Sequence, residues 1–252
     1  SFAERRGRMP VRQLVRLKMA GVRVEDAHTL YERVTGRIML DKLAPSSLIF
    51  ADGFDVNIAV KAGKRVSDIL FSICALILLS PLLALISLAI FLETGSPILF
   101  RQQRIGFSSR PFEMLKFRTM KHDAEQHGPK WAVDGDARIT RIGRWLRRFR
   151  LDELPQFYNV LRGEMSVVGP RPERPEFASL LESSIPYYAE RHSVRPGISG
   201  WAQIKFKYGS SVEDAKTKLE YDLFYIKHLS PLLDFVIILR TAQVMLLGRG
   251  AL

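Results

Sequence analysis

Two adjacent acids, Asp152 and Glu153, are the strongest candidates for chemistry in this chain. They precede a segment, 155–162, that we expect to be a helix ending at Gly163, because proline suits a first helical turn and glycine a helix end. The amino end of a helix favours both an ionised carboxylate and a bound phosphate. Neighbouring side chains on a helix point about 100° apart, so we expect one acid to act as a nucleophile and the other as a ligand of a divalent cation. The alternative is that the two acids only cap the helix.

Basic residues in compact motifs suit a phosphorylated substrate beside these acids. Lysine and arginine bind phosphate oxygens, and Mg²⁺ takes one or two carboxylates together with substrate phosphates. The pattern therefore fits a diphosphate substrate with Mg²⁺, although each cation taken alone would more often be a solvated surface charge. The candidates are Lys116 and Arg118 in LKFRTM, Arg147, and Arg171 in VVGPRPE.

Other chemistries leave no recognisable pattern in the sequence. There is no nucleotide-binding glycine loop and no Ser/His/Asp arrangement. The single Cys74 excludes a disulfide framework and a cysteine-rich metal site. The histidines have no metal-ligand spacing; they are His28, His122, His127, His192 and His228.

The charge balance indicates an anionic partner. The net charge of +12 over 252 residues suits nucleic acid, anionic lipid or a phosphorylated substrate. A long apolar run makes lipid the first choice. Nucleic-acid binding would rest on charge alone, since no binding motif is recognisable, and we predict no nucleic-acid partner.

The apolar run, Ile69–Leu92, contains no charged residue and has Ser80 and Pro81 at its centre. It is long enough to cross a bilayer, for which about 20 apolar residues suffice, and the proline predicts a kink or break. Basic residues flank both ends, and such flanks favour the cytoplasmic side. Two interpretations remain open on the residues: a spanning helix with a kink, or a helix-break-helix that enters and leaves on one face.

Two further segments are predicted to be amphipathic helices. Residues 138–149 carry an apolar stripe beside several arginines, which suits an anionic membrane surface; residues 231–247 are apolar but interrupted by Asp234 and Arg240. The alternative for both is a helix that covers the protein's own core. A helix is also expected over 212–228, and short strands over 97–100 and 112–116.

The amino-terminal part is expected to be a separate piece. A short strand at 22–24 followed by a helix that ends at Gly36 would form a βα fragment, and 45–63 read as a linker with a short extended stretch. We therefore expect residues 1–60 to be the C-terminal remnant of a soluble α/β domain plus a linker, and the chain to be part of a longer or processed protein.

Four motifs in order resemble those of the bacterial sugar transferase family, the monotopic phosphoglycosyl transferases. They are KRVSDILFS with the apolar run that follows it, LKFRTM, LDELPQFYNVLRGEMSVVGPRPE and RPGISGWAQI. The resemblance covers residues 61–252, and residues 1–60 resemble the segment that precedes the catalytic domain in long members. It implies an α/β fold, mostly α, that is membrane-associated through amphipathic interfacial helices and through a re-entrant helix at 69–92 broken at Ser80-Pro81.

The resemblance also implies a reaction and a role for each motif residue. Asp152 would attack the sugar-bearing phosphate of a UDP-sugar, expel UMP and pass the sugar 1-phosphate to polyprenyl phosphate, initiating exopolysaccharide or O-antigen type glycan synthesis. Glu153, with Asp152, would hold Mg²⁺. Lys116, Arg118 and Arg147 would contact phosphates, and Arg171 would line the nucleotide-sugar pocket.

The family further implies the setting of this chemistry. The enzyme would act at the bacterial inner membrane with its site on the cytoplasmic face, and long members would be able to pair as homo-oligomers. Arg150 departs from the family pattern, in which many members have Ser or Thr. A membrane-anchored scaffold, with the two acids as mere caps, is the rival hypothesis.

Overall fold

A computed structural model describes residues 10–42, 53–54, 57–121, 136–206 and 211–246. These residues are mostly helical, with two small two-stranded sheets, which confirms the predicted α/β class with a predominance of helix. The helices are α1 (Val11–Met19), α2 (Ala27–Thr35), α3 (Ile58–Leu78), α4 (Ser80–Thr94), α5 (Arg141–Arg148), α6 (Gln156–Arg162), α7 (Pro175–Ser184), α8 (Trp201–Lys205), α9 (Val212–Lys227) and α10 (Pro231–Leu246). The strands are β1 (Leu99–Ile105), β2 (Pro111–Phe117), β3 (Ser166–Val168) and β4 (Gly197–Ser199).

The amino-terminal helix α2 forms where the sequence predicts it. The Asp26 carboxylate accepts a hydrogen bond from the His28 amide, and Gly36 ends the helix with a φ of 69°, a conformation that glycine adopts without steric cost. The predicted strand at 22–24 is wrong, because these residues form no backbone ladder with any described segment. A strand is stable only when a neighbour satisfies its amide groups.

Helices α3 and α4 form the bent pair that the apolar run predicts. The two helices meet at Leu79 with a bend of 62°. Pro81 has no amide proton for the Ile77 carbonyl, and the Ser80 hydroxyl donates to that oxygen instead, at 2.8 Å. No single described helix is both long and apolar enough to cross a membrane, whereas α3 and α4 together meet that test by length and composition alone.

The start of α3 corrects the predicted linker. The helix begins at Ile58, capped by the Asn57 side chain, which accepts from the Ala59 amide at 2.8 Å. Residues 58–63 are therefore helical and not extended. The remainder of the predicted linker falls largely on residues 43–52 and 55–56, which lie outside the described part of the chain.

Two pairings of short strands complete the framework. Strands β1 and β2 form an antiparallel hairpin with Leu99 opposite Phe117, as the two short apolar runs predict. Strands β3 and β4 pair in parallel. Gly169 follows β3 and Gly197 begins β4, and their backbones lie so close that a Cβ on Gly197 would stand 2.0 Å from the Gly169 nitrogen. Glycine is required at such an approach.

The core has two parts that meet at the hairpin and α6. The larger lies among α6, α9, α10 and β3, with Val160, Leu219 and Ile237 fully buried. The smaller joins α4 to the hairpin and α5 through Ile90, Phe117 and Leu146. The bent helix pair is thus packed directly against the elements that carry the candidate acids.

Candidate active site

Asp152 and Glu153 lie on a single 3₁₀ turn, Leu151–Glu153, immediately before α6. Both side chains are buried, with 8% and 7% of their surface exposed. Among the described residues no side chain caps α6, whose first residue follows Pro155. The interpretation of these acids as mere helix caps is therefore wrong, and their burial needs another explanation, because ionisable groups are rarely buried without a partner.

Glu153 is surrounded by cations from three separate elements. Its Oε1 accepts from Arg171 at 2.6 Å and from Lys116 at 3.3 Å, and its Oε2 lies 3.8 Å from Arg150. Burial acts to raise the pKa of Glu153, but the charges of Arg171 and Lys116 outweigh it and hold that pKa well below its usual range. Glu153 in turn raises the pKa of Arg171. The carboxylate is therefore ionised at any physiological pH.

Asp152 differs sharply from its neighbour. Burial raises the pKa of Asp152, the charge of Glu153 raises it further, and Lys116 and Arg147 oppose the shift. Among the described residues the Asp152 carboxylate makes no hydrogen bond or ion pair. A buried carboxylate without such partners keeps its lone pairs available, which suits a nucleophile near cations.

Arg147 reaches the site from α5. Its Nε donates to the Thr119 hydroxyl at 2.9 Å. The helix lies directly on this segment at Gly143, where a Cβ would stand 2.1 Å from the Thr119 carbonyl oxygen. The close approach of the two backbones therefore fixes α5, and the charge of Arg147 acts to lower the pKa of Asp152.

The structure places Arg118 at the end of α4 and not among the cations around Glu153. Its guanidinium donates to the Thr94 carbonyl, the Thr94 hydroxyl and the Gly95 carbonyl at 3.0, 2.6 and 2.6 Å. These bonds satisfy carbonyl groups that the helix end leaves open. Contact between Arg118 and a phosphate stays a prediction, whereas its role in fixing α4 is visible.

A second contact joins α4 to α5. The Glu93 carboxylate accepts from the Arg141 and Ile142 amides at 2.8 and 3.1 Å, at the amino end of α5. A carboxylate at that position satisfies open amides and complements the helix dipole. Glu93 thus connects the bent helix pair to α5, and Arg118 connects it to the segment that follows β2.

Two arginines behind the site, the buried Arg191 and the partly buried Arg104, were missed by the sequence analysis. Arg191 donates to the Arg171 carbonyl at 2.9 Å and to Asp222 at 2.7 Å. Arg104 donates to the Pro172 carbonyl at 3.1 Å, and burial lowers its pKa to about 10. Both support the loop that carries Arg171. No sequence signal identifies them, because their partners are distant along the chain.

The donor set fits a magnesium ion that takes most of its ligands from substrate and water. The described residues contain no cluster of three or more His, Cys, Asp or Glu, so they form no complete protein cage. The Asp152 carboxylate has no hydrogen-bonding partner among the described residues, and Glu153 Oε2 forms an ion pair with Arg150 at 3.8 Å. One or two carboxylates beside phosphates are the usual environment of Mg²⁺ at phosphate-transfer sites.

The arrangement therefore combines an available carboxylate with a group of fixed cations. Arg171, Lys116, Arg147 and Arg150 exceed the two acids in charge, so the site attracts anions and can neutralise charge on a phosphoryl group. A carboxylate that attacks such a group forms a covalent intermediate and divides one displacement into two. The geometry suits phosphoryl transfer.

Comparisons with known proteins agree with this chemistry. The sequence model described as bacterial sugar transferase matches residues 59–248. The UDP-N-acetylgalactosamine-undecaprenyl-phosphate N-acetylgalactosaminephosphotransferase of Aeromonas hydrophila is 42% identical over 240 residues, which cover 95% of this chain and 56% of that protein.

Two further relatives carry related names. The undecaprenyl-phosphate glucose phosphotransferase of Komagataeibacter xylinus is 44% identical over 194 residues, covering 75% of this chain and 36% of that protein. The UDP-glucose:undecaprenyl-phosphate glucose-1-phosphate transferase of Escherichia coli (strain K12) is 42% identical over 180 residues, covering 71% and 39%. The chain thus spans about half the length, or less, of these relatives. Because the family match extends over most of its residues, the chain belongs to the bacterial sugar transferase family.

Proposed function

We propose that this chain transfers a sugar 1-phosphate from a UDP-sugar to undecaprenyl phosphate. The names of the relatives support the acceptor and the donor class. The observation that carries the proposal is the buried pair of acids with opposite environments: Glu153 is held by Arg171 and Lys116, while Asp152 is left uncommitted beside them.

Asp152 is the proposed nucleophile. Its carboxylate oxygen attacks the phosphorus that bears the sugar, the bond between the two phosphates breaks, and UMP leaves with the bonding electrons. A phosphate oxygen of the acceptor then attacks the same phosphorus, breaks its bond to Asp152 and regenerates the carboxylate. The product is undecaprenyl diphosphate sugar.

The cations are assigned by their positions. Lys116, Arg147 and Arg171 bind and orient the diphosphate and stabilise charge during both displacements. Glu153 keeps Lys116 and Arg171 in place. Mg²⁺, bound at Asp152 and Glu153, would supply further neutralisation of phosphate charge.

The proposed location is the cytoplasmic face of the bacterial inner membrane. Apolar side chains on α3 and α4 remain exposed, among them Leu78 at 78% and Leu92 at 75%, and an exposed apolar surface of this kind suits lipid. A bent pair that enters one leaflet would hold the acids at the level of lipid phosphate groups. Self-association into homo-oligomers stays a prediction.

The testing experiment is UMP release from UDP-N-acetylgalactosamine and UDP-glucose, with Mg²⁺ and undecaprenyl phosphate in detergent. We expect release from one donor, and a fall of at least a thousandfold in Asp152→Asn, because an amide is not a competent nucleophile. Asp41→Asn makes the same change at an exposed carboxylate and should leave the rate unaltered. Full activity in Asp152→Asn would refute the mechanism and favour a scaffold without catalytic activity.

A further inference from the structure

An apolar cavity of about 170 Å³ adjoins Glu153. Among the described residues, Glu153 and Arg150 are the charged ones in its lining, and the rest of the wall is apolar apart from Ser199, Gln203 and Thr241. Neither Lys116 nor Arg171 belongs to the described residues that line it. Glu153 therefore stands at the boundary between a cationic compartment and an apolar one.

The wall comes from elements that are distant in sequence. Phe71 of α3 and Phe157 of α6 lie 5.9 Å apart between ring centroids, and Ile198 of β4 and Ile238 of α10 complete the enclosure. Helix α10 is held against α3 by an ion pair between Lys64 and Asp234 at 2.7 Å. The cavity is thus enclosed by α3, by α6 with the turn that precedes it, by β4 and by α10.

The size of the cavity matches a small branched hydrocarbon group. An apolar cavity of about 150 Å³ can take up a benzene ring, and one isoprene unit has five carbon atoms. The cavity therefore holds one such unit but not a longer chain. Helices α3 and α10 also bear exposed apolar side chains, including Leu70 at 59% and Phe235 at 57%, which can meet the rest of a lipid chain.

The charge of Arg150 indicates which kind of ligand suits the cavity. An apolar space that ends at the Arg150 guanidinium fits an amphiphile whose anionic group lies directly beside its hydrocarbon. We propose that this cavity binds the isoprene unit next to the phosphate of the lipid acceptor, with Arg150 contacting that phosphate. The inference rests on the proposed function and adds a binding site for one part of its acceptor.

The site explains how one nucleophile can serve two substrates in turn. The donor diphosphate occupies the compartment of Lys116 and Arg171, and the acceptor phosphate arrives from the other side of Glu153, beside Arg150. The isoprene unit in the cavity fixes the distance from the membrane to the acceptor phosphate. It also gives the enzyme a means to distinguish a branched isoprenoid from a straight lipid chain.

The test fills the cavity at its margin. Ala242 lines the cavity and is exposed, so Ala242→Leu adds bulk without crowding the core. We expect the KM for undecaprenyl phosphate to rise at least tenfold, while the burst of UMP released without acceptor is unchanged. Gln243→Leu is the matched control, since Gln243 is the exposed neighbour on the same helix and does not line the cavity; its KM should equal that of the wild type.

A second measurement compares acceptors with the wild-type protein. A short polyprenyl phosphate and a straight-chain alkyl phosphate of equal carbon number should differ at least tenfold in KM, and Ala242→Leu should remove the difference. Equal KM values in the wild type, or an unchanged KM in Ala242→Leu, would overturn the inference. Absence of the UMP burst in the wild type would instead refute the proposed function, so the two failures are distinguishable.

Discussion

At the scale of single residues, the site depends on two neighbouring carboxylates with different environments. Glu153 is ionised because Arg171 and Lys116 contact it, whereas Asp152 is buried beside that negative charge without a hydrogen bond to a described residue. The first acid orders the cations and the second is available to react. A difference in environment between adjacent titratable groups is a common way to divide catalytic work.

Removal of the Glu153 charge should shift the acid limb of the pH–rate profile to lower pH. Burial, followed by the charge of Glu153, raises the pKa of Asp152, so the nucleophile becomes protonated, and the rate falls, at a pH above the ordinary range of an aspartate. In Glu153→Gln this repulsion is absent, so the same fall in rate should occur at a lower pH. The pH dependence of the UMP burst measures this.

Glu164→Gln is the control for that experiment. It makes the same chemical change at a carboxylate that is paired with Arg162. Glu164 is not among the charges that shift the pKa of Asp152. Its acid limb should coincide with that of the wild type. An unmoved acid limb in Glu153→Gln would show that the titrating group is not Asp152.

At the scale of elements, the site is built by contacts between the ends of helices. Glu93 at the end of α4 caps α5, Arg118 closes α4, and Arg191 holds the carbonyl of Arg171. These bonds satisfy backbone groups that helices and loops leave open. These contacts therefore connect the bent helix pair to α5 and to the loop that carries Arg171.

A methyl group at Gly143 should disturb this unit. In Gly143→Ala the new Cβ would meet the Thr119 carbonyl oxygen at 2.1 Å, and α5 must move, at a cost of about 1–3 kcal/mol. We expect a lower melting temperature and slower UMP release, because Arg147 moves with the helix. Tryptophan fluorescence during heating in detergent, together with the UMP assay, measures both effects.

Gly63→Ala is the matched control. It lies within α3, and apart from the backbone of that helix no atom of the described residues stands within 4 Å of the added Cβ. The change should stabilise the helix by about 0.5–1 kcal/mol and leave activity intact. Equal stability and activity in Gly143→Ala and the wild type would contradict the close contact between α5 and Thr119.

At the scale of the whole molecule, apolar and basic surfaces lie on the elements that surround the site. Leu232 and Phe235 of α10 are 73% and 57% exposed, and Trp145 of α5 is 64% exposed beside Arg144 and Arg148. Exposed tryptophan with flanking arginines suits the region of lipid head groups. At the opposite end of the chain, Glu32 of α2 accepts from Lys227 at 2.8 Å, so the amino-terminal helix is joined to α9.

Charge reversal on α5 should weaken membrane binding. Replacing both Arg144 and Arg148 with Glu removes the attraction to anionic lipid, where each basic residue contributes about 1 kcal/mol. We expect a large fall in the fraction that sediments with anionic liposomes, and little change with neutral ones. Arg12 and Arg16 of α1 are also exposed, and their replacement by Glu controls for net charge. Unchanged binding of the α5 variant would show that this helix does not anchor the protein.

The sequence by itself determined the elements and the identity of the acid pair. A helix broken at Ser80-Pro81, the hairpin, and helices over α9 and α10 followed from proline, from glycine and from apolar periodicity, because these signals act within a few residues. The adjacent acids and the motifs around them also identified the family. The predicted strand at 22–24 was wrong because a strand needs a pairing partner, and local sequence does not show whether one is present.

Only the tertiary structure decided which basic side chains contact which acids at the site. It assigned Lys116 and Arg171 to Glu153, moved Arg118 to the end of α4, and introduced Arg191 behind the site. It also revealed the apolar cavity beside Arg150. Ion pairs and cavities depend on distances between segments that are far apart in the chain, and on the burial that strengthens each charge interaction. Residue types alone specify neither quantity.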